Sequence, residues 1–247
     1  MQTMQTKGRF VKQLAAATAL AGCALAAPSF AGEWSANASM TNNYIWRGLT
    51  QTENEAAVQG GIDYASDSGF YVGTWVSNVN YGAGDVYSYE HDVYAGYAFE
   101  LDSGLSFDVG YLYYNYDKEA EFDFGEVYAS VGYGGFSVTG YVLANTEADE
   151  GGVYDFGFGS TYYVAADYGF ALSNGVEVGL HAGYHDGDFA EAFNGVTGSY
   201  MDYNISFAKD GFSFMITSTN AEGPAAEGGF DNDEVKFVVA YSVDIAM

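Results

Sequence analysis

The chain has 247 residues and carries 33 acidic against seven basic side chains, a net charge of −26. So acidic a surface argues against nucleic acid as a partner. The single cysteine excludes a disulfide framework and a cysteine-held metal or iron–sulfur centre, while 23 Tyr, 18 Phe and 33 Gly against two Pro exclude disorder and favour continuously paired strands.

Residues 1–31 read as a secretory signal peptide. Lys7, Arg9 and Lys12 form a basic start, Leu14 to Ala27 an alanine-rich apolar run, and Ser29-Phe30-Ala31 a small-x-small cleavage signal. Leu20-Ala21-Gly22-Cys23 offers a second reading, a lipobox in which Cys23 is lipidated. The segment takes three of the seven basic residues with it, so residues 32–247 keep four cations against 33 acids. That length suits one barrel domain. No apolar run of about 18 residues follows the signal, which excludes a transmembrane helix.

From Trp34 onward the dominant period is two. Leu105, Phe107, Val109, Tyr111 and Tyr113 alternate with Ser106, Asp108, Gly110, Leu112 and Tyr114. Val176, Val178, Leu180, Ala182 and Tyr184 alternate with Glu177, Gly179, His181, Gly183 and His185, and Phe237 to Met247 repeats the pattern. Alternation over this length predicts strands. Twelve are expected, beginning near Trp34, Ala57, Phe70, His91, Leu105, Glu126, Phe136, Tyr154, Val176, Tyr200, Phe212 and Asp233.

The connections alternate in length. Tight turns fall at Ser66–Gly69, Leu101–Gly104, Gly134-Gly135, Ser173–Gly175 and Lys209–Gly211, with glycine or asparagine to supply positive φ. Long acidic loops fall near 48–55, 80–92, 115–126, 145–155, 185–194 and 220–234. Short turns at one end and long loops at the other predict an all-β, antiparallel transmembrane β-barrel of an outer membrane, with twelve strands and ten or fourteen as alternatives. The competing fold is a soluble sandwich. Its second face would meet water and carry Lys, Glu and Arg; here that face is Gly, Ser, Ala, Asn, Tyr and a few acids, which suits a crowded concave interior.

Arg47 is the only arginine after the signal. Continuing the parity of strand one sends Tyr44 and Trp46 outward to an interfacial girdle and Arg47 into the lumen near the outer end. Asp63 and Asp92 are its candidate partners. Such an arginine is either a bridge pinning the first loop to the wall or a constriction residue shaping ion passage. Asp63, Asp108, Asp167, Glu177, Asp202 and Asp244 share the inward face with His181, so the expected pore lining is net negative and favours small cationic solutes. His181 and His185 lie about 13 Å apart along a strand at ~3.3 Å per residue, too far for both to hold one zinc unaided. No metal or cofactor site is expected, beyond loose calcium bridging of acidic loops. Gly-x-Ser-x-Gly, His-Glu-x-x-His and P-loop templates are absent. A barrel hydrolase would have to use His91, His181 or His185 as base, and no enzyme is expected.

The segment NNYIWRGLTQTENEAAVQGGIDYA at 42–65 resembles the N-terminal signature of the TorF-like putative porins, through Tyr44, Trp46-Arg47-Gly48, Thr50-Gln51 and Gln59-Gly60-Gly61. Further similar stretches follow at 69–79, 92–97, 110–116 and 200–206, so the resemblance spans the chain after the signal. It implies an outer-membrane barrel of a Gram-negative envelope, embedded in lipid and lipopolysaccharide and acting as a pore. The chain departs from the usual aromatic terminus by ending in Met247. The expected function is passive diffusion of small, cationic solutes. The alternative is a non-conducting structural or adhesive barrel whose acidic loops bind divalent cations or a partner.

Overall fold

The computed structural model describes residues 32–82, 86–222 and 232–247. The expected signal segment, Cys23 included, lies outside them, as does most of the last long loop. Twelve antiparallel strands form a closed barrel. They are β1 (Glu33–Thr41), β4 (Ala57–Ala65), β5 (Phe70–Asn78), β6 (Tyr89–Glu100), β7 (Ser106–Tyr116) and β8 (Phe124–Tyr133). The other half comprises β9 (Phe136–Thr146), β10 (Tyr162–Ala171), β11 (Glu177–Asp186), β12 (Tyr200–Lys209), β13 (Phe212–Thr219) and β14 (Lys236–Ala246). β2 (Ile45–Trp46) and β3 (Leu49–Thr50) pair only with each other. β1 closes the barrel by pairing with β14 on one side and β4 on the other.

Each expected strand is present, and the short and long connections alternate as their turn chemistry predicts. The eighth begins at Tyr162 rather than Tyr154. Glycines 151, 152 and 159 all have positive φ there, so the chain bends through this stretch before it joins the wall. The last begins at Lys236 rather than Asp233. The closed hydrogen-bonded ring excludes the sandwich.

The outer surface is apolar and exposed: Val58, Ile62, Val76, Val93, Val109, Val131, Val164, Leu180 and Val239 all face away from the lumen. Trp34, Phe70, Tyr97, Phe99, Tyr133, Phe136, Tyr168 and Phe212 ring the short-turn end, and Tyr89, Tyr162 and Tyr203 stand nearer the long loops. An apolar band flanked by aromatics is the surface a lipid-embedded barrel presents. No helix among the described residues is long and apolar enough to cross a membrane; the strands do the spanning.

Inside, tyrosines lie over glycines. Tyr94 covers Gly73 and Tyr71 covers Gly96, reciprocal pairs across the β5–β6 ladder. Tyr128 covers Gly110 directly across from it, and Tyr163 covers Gly183. A Cβ at any of these four glycines would run into the tyrosine ring or hydroxyl. The tyrosines thus gain a flat bed against bare backbone, and the glycines regain the packing they lack. Gly183→Ala, which drives a methyl into the Tyr163 hydroxyl and Asp202, should lower stability by about 1–3 kcal/mol. Gly140→Ala, whose methyl meets nothing within 4 Å, should leave it unchanged; urea unfolding of the refolded barrel, followed by tryptophan fluorescence, compares the two.

Candidate functional site

The wall opens after β1 because Asn42 ends it. Its side-chain amide donates to the Phe237 carbonyl at 3.1 Å and accepts from the Val239 amide at 2.7 Å, completing the β1–β14 ladder while the backbone turns away. The chain then enters the barrel. Residues 43–52 are all buried. β2 and β3 form a two-residue hairpin whose tip is Arg47 (φ 47°) and Gly48 (φ 81°). Positive φ at both tip residues is the type I′ geometry. Gly48 is obligatory on a second ground, since a Cβ there would sit 2.5 Å from that of Asp202 and 3.2 Å from that of Thr219.

The polar run after the tip holds the hairpin in shape. Thr50 donates its hydroxyl to Asn43 at 2.6 Å, Asn43 donates to Asn54 at 2.8 Å, and the Gln51 amide donates to the Tyr44 carbonyl at 2.7 Å. Thr52 donates to the Glu55 carbonyl at 2.6 Å. These bonds satisfy groups that burial would otherwise strand.

The hairpin reaches the wall on all sides. Arg47 gives Nη1 and Nη2 to the two carboxylate oxygens of Glu126 on β8, at 3.0 and 2.6 Å. Nη1 also lies 3.1 Å from His185 Nε2 on β11. An arginine only donates, so Nε2 accepts, and the ring proton sits on Nδ1, which faces the Tyr200 hydroxyl at 3.1 Å. The guanidinium stacks 4.3 Å from the Trp46 ring centre, 4.4 Å from Tyr163 and 5.1 Å from Tyr141. Burial alone would push the Arg47 pKa down; the Glu126 charge and hydrogen bonds outweigh it, and the net displacement is upward. Arg47 is therefore charged at every physiological pH.

Trp46 meets Tyr114, Phe124 and His185 edge-on. It also meets Phe193 of the short helix α1 (Asp188–Asn194) in the loop after β11. Tyr44 packs on Trp75 of β5 and donates to Glu90 of β6 at 2.9 Å. Ile45 packs with Met215 and Val238 on β13 and β14. Leu49 packs with Val196, Tyr200 and Ala221. One hairpin thus bridges the lumen from β5 round to β14 in the half nearer the long loops.

Arg47 points into the lumen as expected, but Tyr44 and Trp46 do not reach the outer girdle. β1 does not continue through them: Asn42 ends it, and both rings are buried inside. The partner of Arg47 is Glu126 rather than Asp63 or Asp92. Asp63 instead accepts from Tyr94, and Asp108 accepts from Tyr71 at 2.7 Å, with Tyr71 also bonded to Tyr128. His181 places Nδ1 2.7 Å from Asp167 and Nε2 2.9 Å from Asp202, and Tyr163 donates to Asp202 at 3.1 Å. With carboxylates on both nitrogens, only the doubly protonated ring satisfies the arrangement. Glu177 is half-buried, and Asp244 is exposed near the short-turn end opposite Asn37. Sequence reasoning missed Glu126 and Glu90, although both share parity with inward tyrosines, Tyr128 and Tyr94. His91 faces outward, toward Thr74 at 2.7 Å, and joins no lumen cluster. Among the described residues no group of three His, Cys, Asp or Glu is placed to hold a metal.

A family model described as "Bacterial protein of unknown function (Gcw_chp)" matches residues 25–242. The chain belongs to this family. No curated protein sequence matches it. Among solved structures, the KdgM porin superposes with a TM-score of 0.50 at 10% identity, over 87% of this chain and 99% of that one. The same protein solved as "KdgM porin in complex with disordered oligogalacturonate" matches equally. The NanC porin gives 0.50 at 9% identity, over 87% and 98%. At these identities the likeness establishes a shared barrel fold.

Removing one partner of a buried pair leaves an uncompensated charge, so Arg47→Met or Glu126→Leu alone should destabilise by about 3–5 kcal/mol. The double variant should cost less than either single change, because it leaves no bare charge; a double-mutant cycle in urea measures the coupling.

Proposed function

We propose that this member of the Gcw_chp family is an outer-membrane porin-like channel for small cationic solutes, closed toward the long-loop end by the β2–β3 hairpin. The observation that carries the reading is the composition of the lumen. Asp63, Glu90, Asp92, Asp108, Glu126, Asp167, Glu177, Asp202 and Asp244 lie on the inner face, against which stand Arg47, His181 and Lys236. An acidic wall of this kind attracts cations and repels anions. The likeness of the fold to the KdgM and NanC porins supports a pore, and the resemblance of 42–65 to TorF-like putative porins supports the same placement in a Gram-negative outer membrane. Asp244, exposed at the short-turn end, would be the first inner charge met from that side. The 1–31 segment would direct export, and residues 32–247 would form the working barrel. Embedding in lipid and lipopolysaccharide, with loose calcium on the acidic loops, belongs to this reading.

A second reading has an observation of its own. Burial of all ten residues from 43 to 52 favours a barrel that stays shut and serves as a structural or adhesive element through its loops. Planar-bilayer recording separates the two. The refolded chain should give discrete, cation-selective steps, and removal of residues 45–50 should enlarge them. Reversal toward anions would overturn the solute class. Silence after the hairpin is deleted from a barrel that is still heat-modifiable on a gel would overturn the channel and leave the structural reading.

A further inference from the structure

The surroundings of Arg47 form a receptor for a cation, and the chain fills it with its own side chain. Three aromatic faces enclose the guanidinium: Trp46, Tyr163 and Tyr141. Glu126 meets its two terminal nitrogens with two oxygens, at 3.0 and 2.6 Å. His185 Nε2 supplies a further acceptor at 3.1 Å. The Tyr114 hydroxyl fixes the carboxylate from behind by donating to Glu126 at 3.1 Å. Aromatic walls closed by a carboxylate are how proteins desolvate and hold an organic cation, and a planar fork against both carboxylate oxygens selects guanidinium over ammonium. All the acceptors and two of the three rings, Tyr141 and Tyr163, belong to the wall strands β8 to β11. They remain in place if the hairpin withdraws.

We infer that the Glu126–Tyr141–Tyr163–His185 pocket is a binding site for guanidinium-bearing solutes, and that Arg47 occupies it as a built-in competitor. The inference rests on the reading of the lumen as a path for cations and names the solute class. A solute with a guanidinium group would replace Arg47 in kind, bond for bond, so the hairpin could leave without stranding Glu126. A solute with only an ammonium group would satisfy one oxygen at a time. A neutral solute would leave the carboxylate bare, which burial forbids. The site thus couples solute identity to opening: the ligand that compensates Glu126 is the one that frees the plug.

The test uses methylguanidine as the probe and methylammonium as its control, titrated calorimetrically into the refolded barrel in detergent. Arg47→Ala vacates the pocket while keeping Trp46, and should bind methylguanidine at least about tenfold more tightly than the unaltered chain, in which the site is free only a small fraction of the time. Adding Glu126→Gln to Arg47→Ala should abolish binding, and methylammonium should bind weakly or not at all. A heat-modifiable Arg47→Ala barrel that ignores methylguanidine overturns the inference. So does binding that survives Glu126→Gln, or equal binding of the two probes. If Arg47→Ala does not fold alone, refolding with methylguanidine should restore the heat-modifiable form, and failure to do so counts against the site. Bilayer recording of the same variants separates the two ideas. Binding without current in any variant overturns the channel and keeps the receptor; cation current without binding overturns the receptor alone.

Discussion

The interior of this barrel is organised around one buried ion pair. Arg47 and Glu126 are both shielded from water, and neither would be tolerable there alone, since the desolvation of an isolated charge costs several kcal/mol. Each is made tolerable by the other and by satisfied neighbours: Tyr114 on the carboxylate, His185 and three rings around the guanidinium. The pair can form only because the hairpin tip holds Arg47 at positive φ and has no side chain at position 48 to strike Asp202. The strain of an arginine in the left-handed region, of order 1–3 kcal/mol, is offset by a bidentate charged bond in a low-dielectric setting. The aromatic packing of Trp46, Tyr44 and Phe193 follows from where that bond puts the hairpin.

The unusual composition has a single physical cause. A twelve-stranded wall has an interior too wide for ordinary side chains to fill by themselves and too narrow to ignore. Tyrosine laid on glycine solves this by extending a flat ring along the wall with its hydroxyl directed inward. Those hydroxyls then meet carboxylates: Tyr71 with Asp108, Tyr94 with Asp63, Tyr114 with Glu126, Tyr116 and Tyr44 with Glu90, Tyr163 with Asp202. The phenol supplies the donors that a chain with so few cations cannot, which allows an acidic lumen to be built almost without lysine or arginine.

How far the sequence reveals this structure depends on which period is being read. The wall was legible because its alternation is regular and its turns carry glycine at fixed places; β4, β5, β9, β12 and β13 begin at the expected residue. The eighth strand starts later than its sequence suggests, because Val153-Tyr154 and Phe156 mimic an alternating start that the flanking glycines break. The hairpin was not legible from periodicity, because a segment that leaves the wall keeps no relation to the wall's parity. Two local signals did point to it. Asn42-Asn43 offers an amide that can substitute for a ladder bond, and Arg47-Gly48 is a pair with a glycine where a tight turn needs one. The partner Glu126 is far from Arg47 in sequence and one of many acids, so only three-dimensional closure selects it.

The hairpin is not needed to close the wall. β1 and β4 pair with each other along their whole lengths, from Glu33 with Ala65 to Thr41 with Ala57, so the wall is closed whether or not the intervening segment lies inside. The bonds that shape the segment, Thr50 to Asn43, Gln51 to Tyr44 and Thr52 to Glu55, lie within it and travel with it. What ties it to the rest is the Glu126 pair with its His185 neighbour, the Tyr44–Glu90 bond, the hold of Asn80 and Tyr81 on Gln51, the rings around Trp46, and the packing of Ile45 on Met215 and Val238 and of Leu49 on Tyr200. Of these, the charged pair is the contact whose loss takes the countercharge from a buried carboxylate. Because the β1–β4 pairing does not depend on the segment, a withdrawal would be a local event rather than a global one. Glu126 is the anchor whose charge would need a new partner, so on the proposed reading that carboxylate is the point at which the chemistry of a solute would bear on the hairpin.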